Sequence, residues 1–296
     1  MLKHFVAVST LAACAGFASA QTVNGNTLGD GYGAARAVQT VETQFGDNQS
    51  EMNAAYARIS GGRLYLALTG NIEANFNKLE IFIDSKAGGS NTYIAPVGQD
   101  GGQCASMNGF SFDTGFDPDY HLFVRRGNAG GNKFDLDYAI LGTNSFSSYS
   151  SVFGAALTGS GTTGTGANGS PIEVAYDDSN TAGVLGGTNA ADQTAALAVT
   201  TGLELSIALS DLGLPAGAFN VMVFQNGNGH NYASNQFLGG LAAPQGNLGG
   251  DGTGGFTGGL GIDMDNFAGN QYFSVPEPST LSLLALGALA MIRRRG

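Results

Sequence analysis

The sequence predicts an all-β protein, a single jelly-roll-like β-sandwich with glycine-rich loops. Short runs of alternating or β-branched residues recur along the chain between glycine and asparagine clusters. Glycine reaches 48 of 296 residues without a collagen period. No stretch between 21 and 274 carries a long helical period. Hydrophobic residues make up 43% of the chain, enough for a sizeable core, and no repeat of 20–50 residues occurs.

The elements follow in order. Residues 1–20 read as a removable targeting segment: Lys3 is the positive start, Phe5–Phe17 the apolar stretch, and Ala18-Ser19-Ala20 the small-residue cleavage site. A lipoprotein signal at Leu11–Cys14 competes with it. The body, 21–274, opens with Val23-Asn24-Gly25 and Tyr32, then alternates through Ala37–Thr43 as an edge strand. Ala54–Ser60 and Arg63–Thr69 flank Gly61-Gly62, a hairpin with a primed turn. Lys78–Asp84 reads as a central strand, and Asp119–Arg125 and Lys133–Leu141 as a hairpin with a longer loop. Ser145–Thr158 fits either a strand or a short helix. Residues 159–170 (GSGTTGTGANGS) read as a flexible insert, too poor in apolar residues to offset chain entropy. Ile172–Tyr176, Leu203–Leu209 and Ala218–Gln225 are further strands. Ser210–Pro215 has room for one helical turn. Asn226–Asn235 and Gly239–Gly261 read as polar loops, and Asn270–Val275 as a closing strand.

The formal charge is −11. Without Lys3 and Arg293–Arg295, 8 basic residues remain against 23 acidic ones, a charge of −15. Such a body repels nucleic acid and has no basic patch for phosphate contacts. With Cys14 in the targeting segment, Cys104 has no intramolecular partner and is either buried or free for an intermolecular bond.

Candidate chemistry is sparse. Asp113, Asp117 and Asp119 fall within nine residues and could lend oxygens to calcium, or simply cap turns. His121 sits in a strand, where a structural role is the ordinary one. His230 and Tyr232 lie in the loop NGNGHNYASN, where they could meet a ligand. Asp135 and Asp137 share a strand face and are expected to face solvent. No nucleophile elbow, His-Glu-x-x-His or Cys-x-x-Cys occurs, so no catalytic residues are assigned and an enzyme is not expected.

The segment 275–296 reads VPEPSTLSLLALGALAMIRRRG. Ser279–Ile292 is apolar and, as a helix, would be about 21 Å long at ~1.5 Å per residue, short for a hydrocarbon core of about 30 Å. Arg293, Arg294 and Arg295 form a cytoplasmic stop. Pro276 and Pro278 keep the entrance extended. Val275-Pro276-Glu277-Pro278, the short apolar run and the arginines in fixed order resemble the PEP-CTERM sorting signal. That resemblance implies processing near Pro276–Pro278 by an exosortase-type enzyme in a Gram-negative-type bacterium. It also implies transient anchoring in the inner membrane and delivery to the envelope, the outer surface or the extracellular matrix. The V-N-G opening, LYLALTGNIE…NKLEIFIDS (Leu64–Ser85) and LELSIALSDLGLP (Leu203–Pro215) resemble the sandwich group of family 9 carbohydrate-binding modules and DOMON-type domains. The chain lacks the tryptophans with which those modules grip sugars. The reading is thus an exported, non-enzymatic surface or matrix protein. The alternative is a carbohydrate-binding module for envelope or matrix polysaccharide.

Overall fold

Gly61 and Gly62 both adopt positive φ, 57° and 75°, and so join their flanking strands through a tight turn of the primed kind. The computed structural model describes residues 21–154, 157–215 and 217–276. The targeting segment with its cleavage site at Ala18 and Ala20, and the tag from Glu277 through Pro278 to Arg293–Arg295, lie outside them.

In chain order the strands are β1 (Ala37–Val38), β2 (Glu51–Ser60), β3 (Arg63–Asn71), β4 (Asn75–Asp84), β5 (Tyr120–Asn128), β6 (Asn132–Ile140), β7 (Ser145–Phe153), β8 (Thr158–Thr162), β9 (Glu173–Asp177), β10 (Gly202–Ala208), β11 (Phe219–Asn226), β12 (Ala233–Leu238) and β13 (Tyr272–Val275). They form two antiparallel sheets. One runs β1-β2-β3-β10-β9-β8; the other runs β12-β11-β4-β5-β6-β7, with β13 also paired to β11. The inner faces meet in a core that includes Leu64, Leu66 and Leu68 of β3, Ile81 and Ile83 of β4, and Leu203, Leu205 and Ile207 of β10. This is the β-sandwich expected from the alternation.

The opposite face of the seven-stranded sheet is not open to water. The connections 85–119 and 239–271 fold over it and enclose a second core around Phe82, Tyr93, Phe110, Phe112, Phe224 and Phe237. The strand Lys78–Asp84 is therefore covered on both sides: Leu79, Ile81 and Ile83 face the first core, while Lys78, Glu80 and Phe82 lie buried beneath the cover. The cover includes a 3-10 segment, Gln99–Met107, entered through left-handed Gly98, Asp100, Gly101 and Gly102.

Several expectations need correction. Residues 159–170 are not a loose insert. Thr158–Thr162 is β8, paired with β9 from Thr158↔Asp177 to Thr162↔Glu173. Its glycines serve close approach, because a Cβ on Gly161 would stand 2.5 Å from the Val152 carbonyl oxygen of β7. Asn168 then fixes the return by donating to the carbonyls of Gly164 and Ser170. Ser145–Phe153 is a strand, β7. The loop reading of Asn226–Asn235 missed β12, which starts at Ala233 and whose polar residues Ser234, Asn235 and Gln236 are all buried. A short helix, α1 (Gln193–Ala198), was also missed; Asp192 caps it by accepting from the Thr194 and Ala195 amides. The Val23-Asn24-Gly25 opening has a plain structural role. Glu204 accepts from the amides of Asn24 and Gly25 and from the Tyr32 hydroxyl, tying the start of the body to β10.

Candidate functional site

The entrance to the tag is a strand end. In β13, Val275 pairs with Phe219 of β11 and is fully buried in the first core, whereas Pro276 is exposed. The next pairings are Asn220 with Asp84, Ile83 with Tyr120, and Tyr120 with Ile140. The tag therefore leaves at the sheet end where β4 and β6 finish and β5 starts. Phe273 and Val275 face the core, so the last strand before the motif is part of the fold.

The second candidate is an ionic cluster under the cover, built on neighbouring strands. Glu80 of β4 points into the second core, and His121 of β5 is its register neighbour through Phe82. His121 Nε2 donates to Glu80 Oε2 at 2.9 Å, and its Nδ1 accepts from the Tyr93 hydroxyl at 3.0 Å. His230, in a left-handed conformation (φ 56°) between β11 and β12, directs Nδ1 at Glu80 Oε1 (2.6 Å) and Nε2 at Asp100 Oδ2 (3.1 Å). Asp100 also meets Arg125 Nη1 at 2.6 Å and Lys78 Nζ at 3.5 Å. Arg125 extends the cluster to Asp135 at 3.0 Å.

The charge states follow. Both nitrogens of His230 face carboxylates, so both must donate and the ring is an imidazolium. Burial opposes that charge, but Glu80 and the hydrogen bonds to Asp100, Cys104 and Glu80 lift its pKa well above the usual value. Burial raises the Glu80 carboxyl, yet His230 and His121 outweigh it and bring it down to about 2. Asp100 is also lowered: burial is overcome by His230, Lys78 and Arg125. His121, desolvated and accepting from Tyr93, has its pKa depressed and stays neutral.

Cys104 Sγ lies 3.6 Å from His230 Nε2, so thiol, imidazole and carboxylate stand in the order a nucleophilic relay would need. The site is sealed. Cys104, Glu80 and His230 are each fully buried, and burial raises the thiol pKa against the pull of His230. A cleft of about 260 Å³ on the same sheet, bounded by Ala87, Thr92, Ile94, Pro118 and Leu141, touches none of them. The arrangement therefore binds the cover to the sheet.

The residues singled out earlier fall differently than expected. His230 is not in an exposed ligand loop but at the centre of the cluster. Tyr232 is half-buried, lies parallel to Phe45 (centroids 6.4 Å apart) and donates to the Gly254 carbonyl. Asp135 and Asp137 do not face solvent. Both are buried; Asp137 accepts from Ser148, and burial raises its pKa to about 6. Asp113 accepts from the Gln271 amide, Asp119 from the Ser85 and Lys86 amides, and the Asp117 amide donates to Asp84. The carboxylates of Asp113 and Asp119 thus tie down separate segments, and Asp117 takes part through its backbone amide. Among the described residues no group of three or more His, Cys, Asp or Glu side chains is placed to hold a metal ion. Lys78, Glu80, Asp100 and Arg125 were overlooked. Their signal is a Lys and a Glu inside the apolar strand KLEIFID of a chain with only 12% charged residues.

The fold alone names no activity. Residues 274–295 match the PEP-CTERM protein-sorting motif. No curated protein and no solved structure matches the chain. The PEP-CTERM motif implies export, recognition by an exosortase-type processing enzyme and association with the envelope. Among the described residues no helix is long and apolar enough to cross a membrane.

Proposed function

We propose that this is a non-enzymatic protein of the cell surface or extracellular matrix of a Gram-negative-type bacterium. Its signal peptide, 1–20, is removed on export. Ser279–Ile292 then holds it briefly in the inner membrane, with Arg293–Arg295 on the cytoplasmic side, until an exosortase-type enzyme cuts near Pro276–Pro278. The observation that carries this reading is that the PEP-CTERM motif begins at the very end of a core strand, with Val275 buried and Pro276 exposed. A cut beyond Val275 spares the fold. The non-enzymatic part rests on the sealing of the Cys104–His230–Glu80 cluster.

The test is intact-mass measurement of the exported protein. A mature form starting after Ala20 and ending between Val275 and Pro278 is expected. A form that still carries Arg293–Gly296, or one that ends before Val275, would sink the processing claim.

A second reading, recognition of an envelope or matrix polysaccharide, is supported by the parallel, half-buried Phe45–Tyr232 pair. The amide side chain of Asn247 beside it bonds to Gln44. Saturable heat of binding to matrix polysaccharide, lost in Y232A, is its expected outcome; no heat with any matrix glycan would dispose of it.

A further inference from the structure

Chain geometry fixes which end of the body meets the membrane before processing. This step rests on the anchoring reading above. Between the buried Val275 and the start of the apolar run at Ser279 stand only Pro276, Glu277 and Pro278. Consecutive Cα atoms are about 3.8 Å apart, so four links reach at most about 15 Å. The interfacial layer on each side of the hydrocarbon core is itself about 5–8 Å thick. The tag end of the seven-stranded sheet is therefore held at the headgroups.

That end carries the features of an interfacial surface. Val97 is 80% exposed and its amide donates to Asn144, in the turn after β6, which places it at the tag end. Ile94 is 68% exposed and borders the 260 Å³ cleft with Pro118 and Leu141. Leu214, 69% exposed, follows Gly213, which packs against Lys86 and Tyr120. Other exposed apolar side chains, such as Leu28 and Leu157, sit elsewhere: Thr27 and Leu157 bond to Thr200 and Asp178 at the far end of the six-stranded sheet. At the far end of the seven-stranded sheet the β5–β6 turn is polar, reading Asn128-Ala129-Gly130-Gly131-Asn132, and the exposed apolar side chain there is Phe256, close to the Gly254 carbonyl that Tyr232 bonds.

We propose that, while the tag is attached, the body docks on the lipid surface through Ile94, Val97 and Leu214. The occupant of this surface is the membrane interface rather than an anionic patch. The body, 21–274, has 8 basic and 22 acidic residues, a charge of −14, and Asp84 and Asp117 are half-exposed at this end; this opposes anionic lipid, so apolar contact with zwitterionic headgroups must carry the interaction. Release of the tag then removes the tether that keeps this weak contact in place.

The chain has no tryptophan, so a single introduced one reports its own surroundings. Full-length V97W, I94W and A129W, the last at the distal turn, would be reconstituted in phosphatidylcholine vesicles and separated by flotation. Co-flotation, with V97W and I94W emission blue-shifted and quenched by brominated acyl chains while A129W stays water-like, is the expected result. Unfolding midpoints equal to wild type show that the variants keep the fold. Failure to float would overturn the anchoring reading and this proposal with it. Flotation with V97W and I94W as water-exposed as A129W would overturn this proposal alone. So would a blue shift seen only when the processing enzyme is co-reconstituted, which would assign the surface to that protein.

Discussion

Nδ1 of His230 lies 2.6 Å from Oε1 of Glu80, inside the second core. The ring's other nitrogen faces Asp100 in the cover, so one imidazolium bolts the cover segment to the sheet. Asp100 adopts a left-handed conformation, φ 47°, that a non-glycine residue keeps only when its surroundings hold it there. Lys78, Arg125 and His230 converge on its carboxylate and supply that hold.

Removing the bolt is costly. H230L leaves Glu80 with less compensation in a buried site, and loss of one partner from such a pair costs about 3–5 kcal/mol. Denaturant unfolding of H230L is expected to show that loss, and the double variant E80Q/H230L to recover part of it. A wild-type midpoint in H230L would contradict the assignment.

The pH profile should have its optimum on the acidic side. Asp137 is raised to about 6 in the fold, above its unfolded value of 3.8. Its contribution is full below pH 4 and is lost as pH rises through 6, on the order of 2–3 kcal/mol for a shift of this size. Asp84, raised to about 6 chiefly by burial and then by the charges of Asp119 and Asp117, acts in the same direction. Glu80, lowered to about 2, contributes the opposite slope: its stability is present above pH 4.5 and lost towards pH 2. Thermal melts across pH 2–8 should therefore peak near pH 4–5. D137N should flatten the decline between pH 4 and 7; an unchanged slope would count against this assignment.

The closing strand should matter more than the tag. A chain ending at Val275 keeps Phe273 and Val275 in the core, and its midpoint should equal that of the longer body. A chain ending at Gln271 loses both, at about 1.5–3 kcal/mol each, and with them the pairings to Phe219–Met222. Equal stability of the two truncations would show that β13 does not belong to the fold.

Much of this architecture was legible in the chain. Alternation marked β2, β3, β4, β10 and β11 because one face of each turns to a continuous apolar core. Gly61-Gly62 marked its turn because that geometry needs positive φ twice. The tag was legible because its three parts stand in fixed order. What stayed hidden depends on a third layer. In β12 three successive buried residues are Ser234, Asn235 and Gln236, and Asn235 and Gln236 bond to Glu42, Val41 and Met52; the pattern looks like a loop until those partners are present. His230 looked accessible because its neighbours in sequence are small and polar, whereas its neighbours in space are Glu80, Asp100 and Cys104. Thr158–Thr162 looked mobile because glycine was read as freedom, where it serves close contact with Val152.

That contact has a consequence for crowding. β7 and β8 are the last strands of their respective sheets, and Gly161 brings one against the other. Ser147 and Tyr149 of β7 reach across to the Ala167 amide and to Asn168. A terminal strand normally offers its unpaired amides and carbonyls as a template for another chain. Here the two terminal strands lie against each other, which narrows the open edge at this margin, whereas β1 and β12 end the two sheets on the other side.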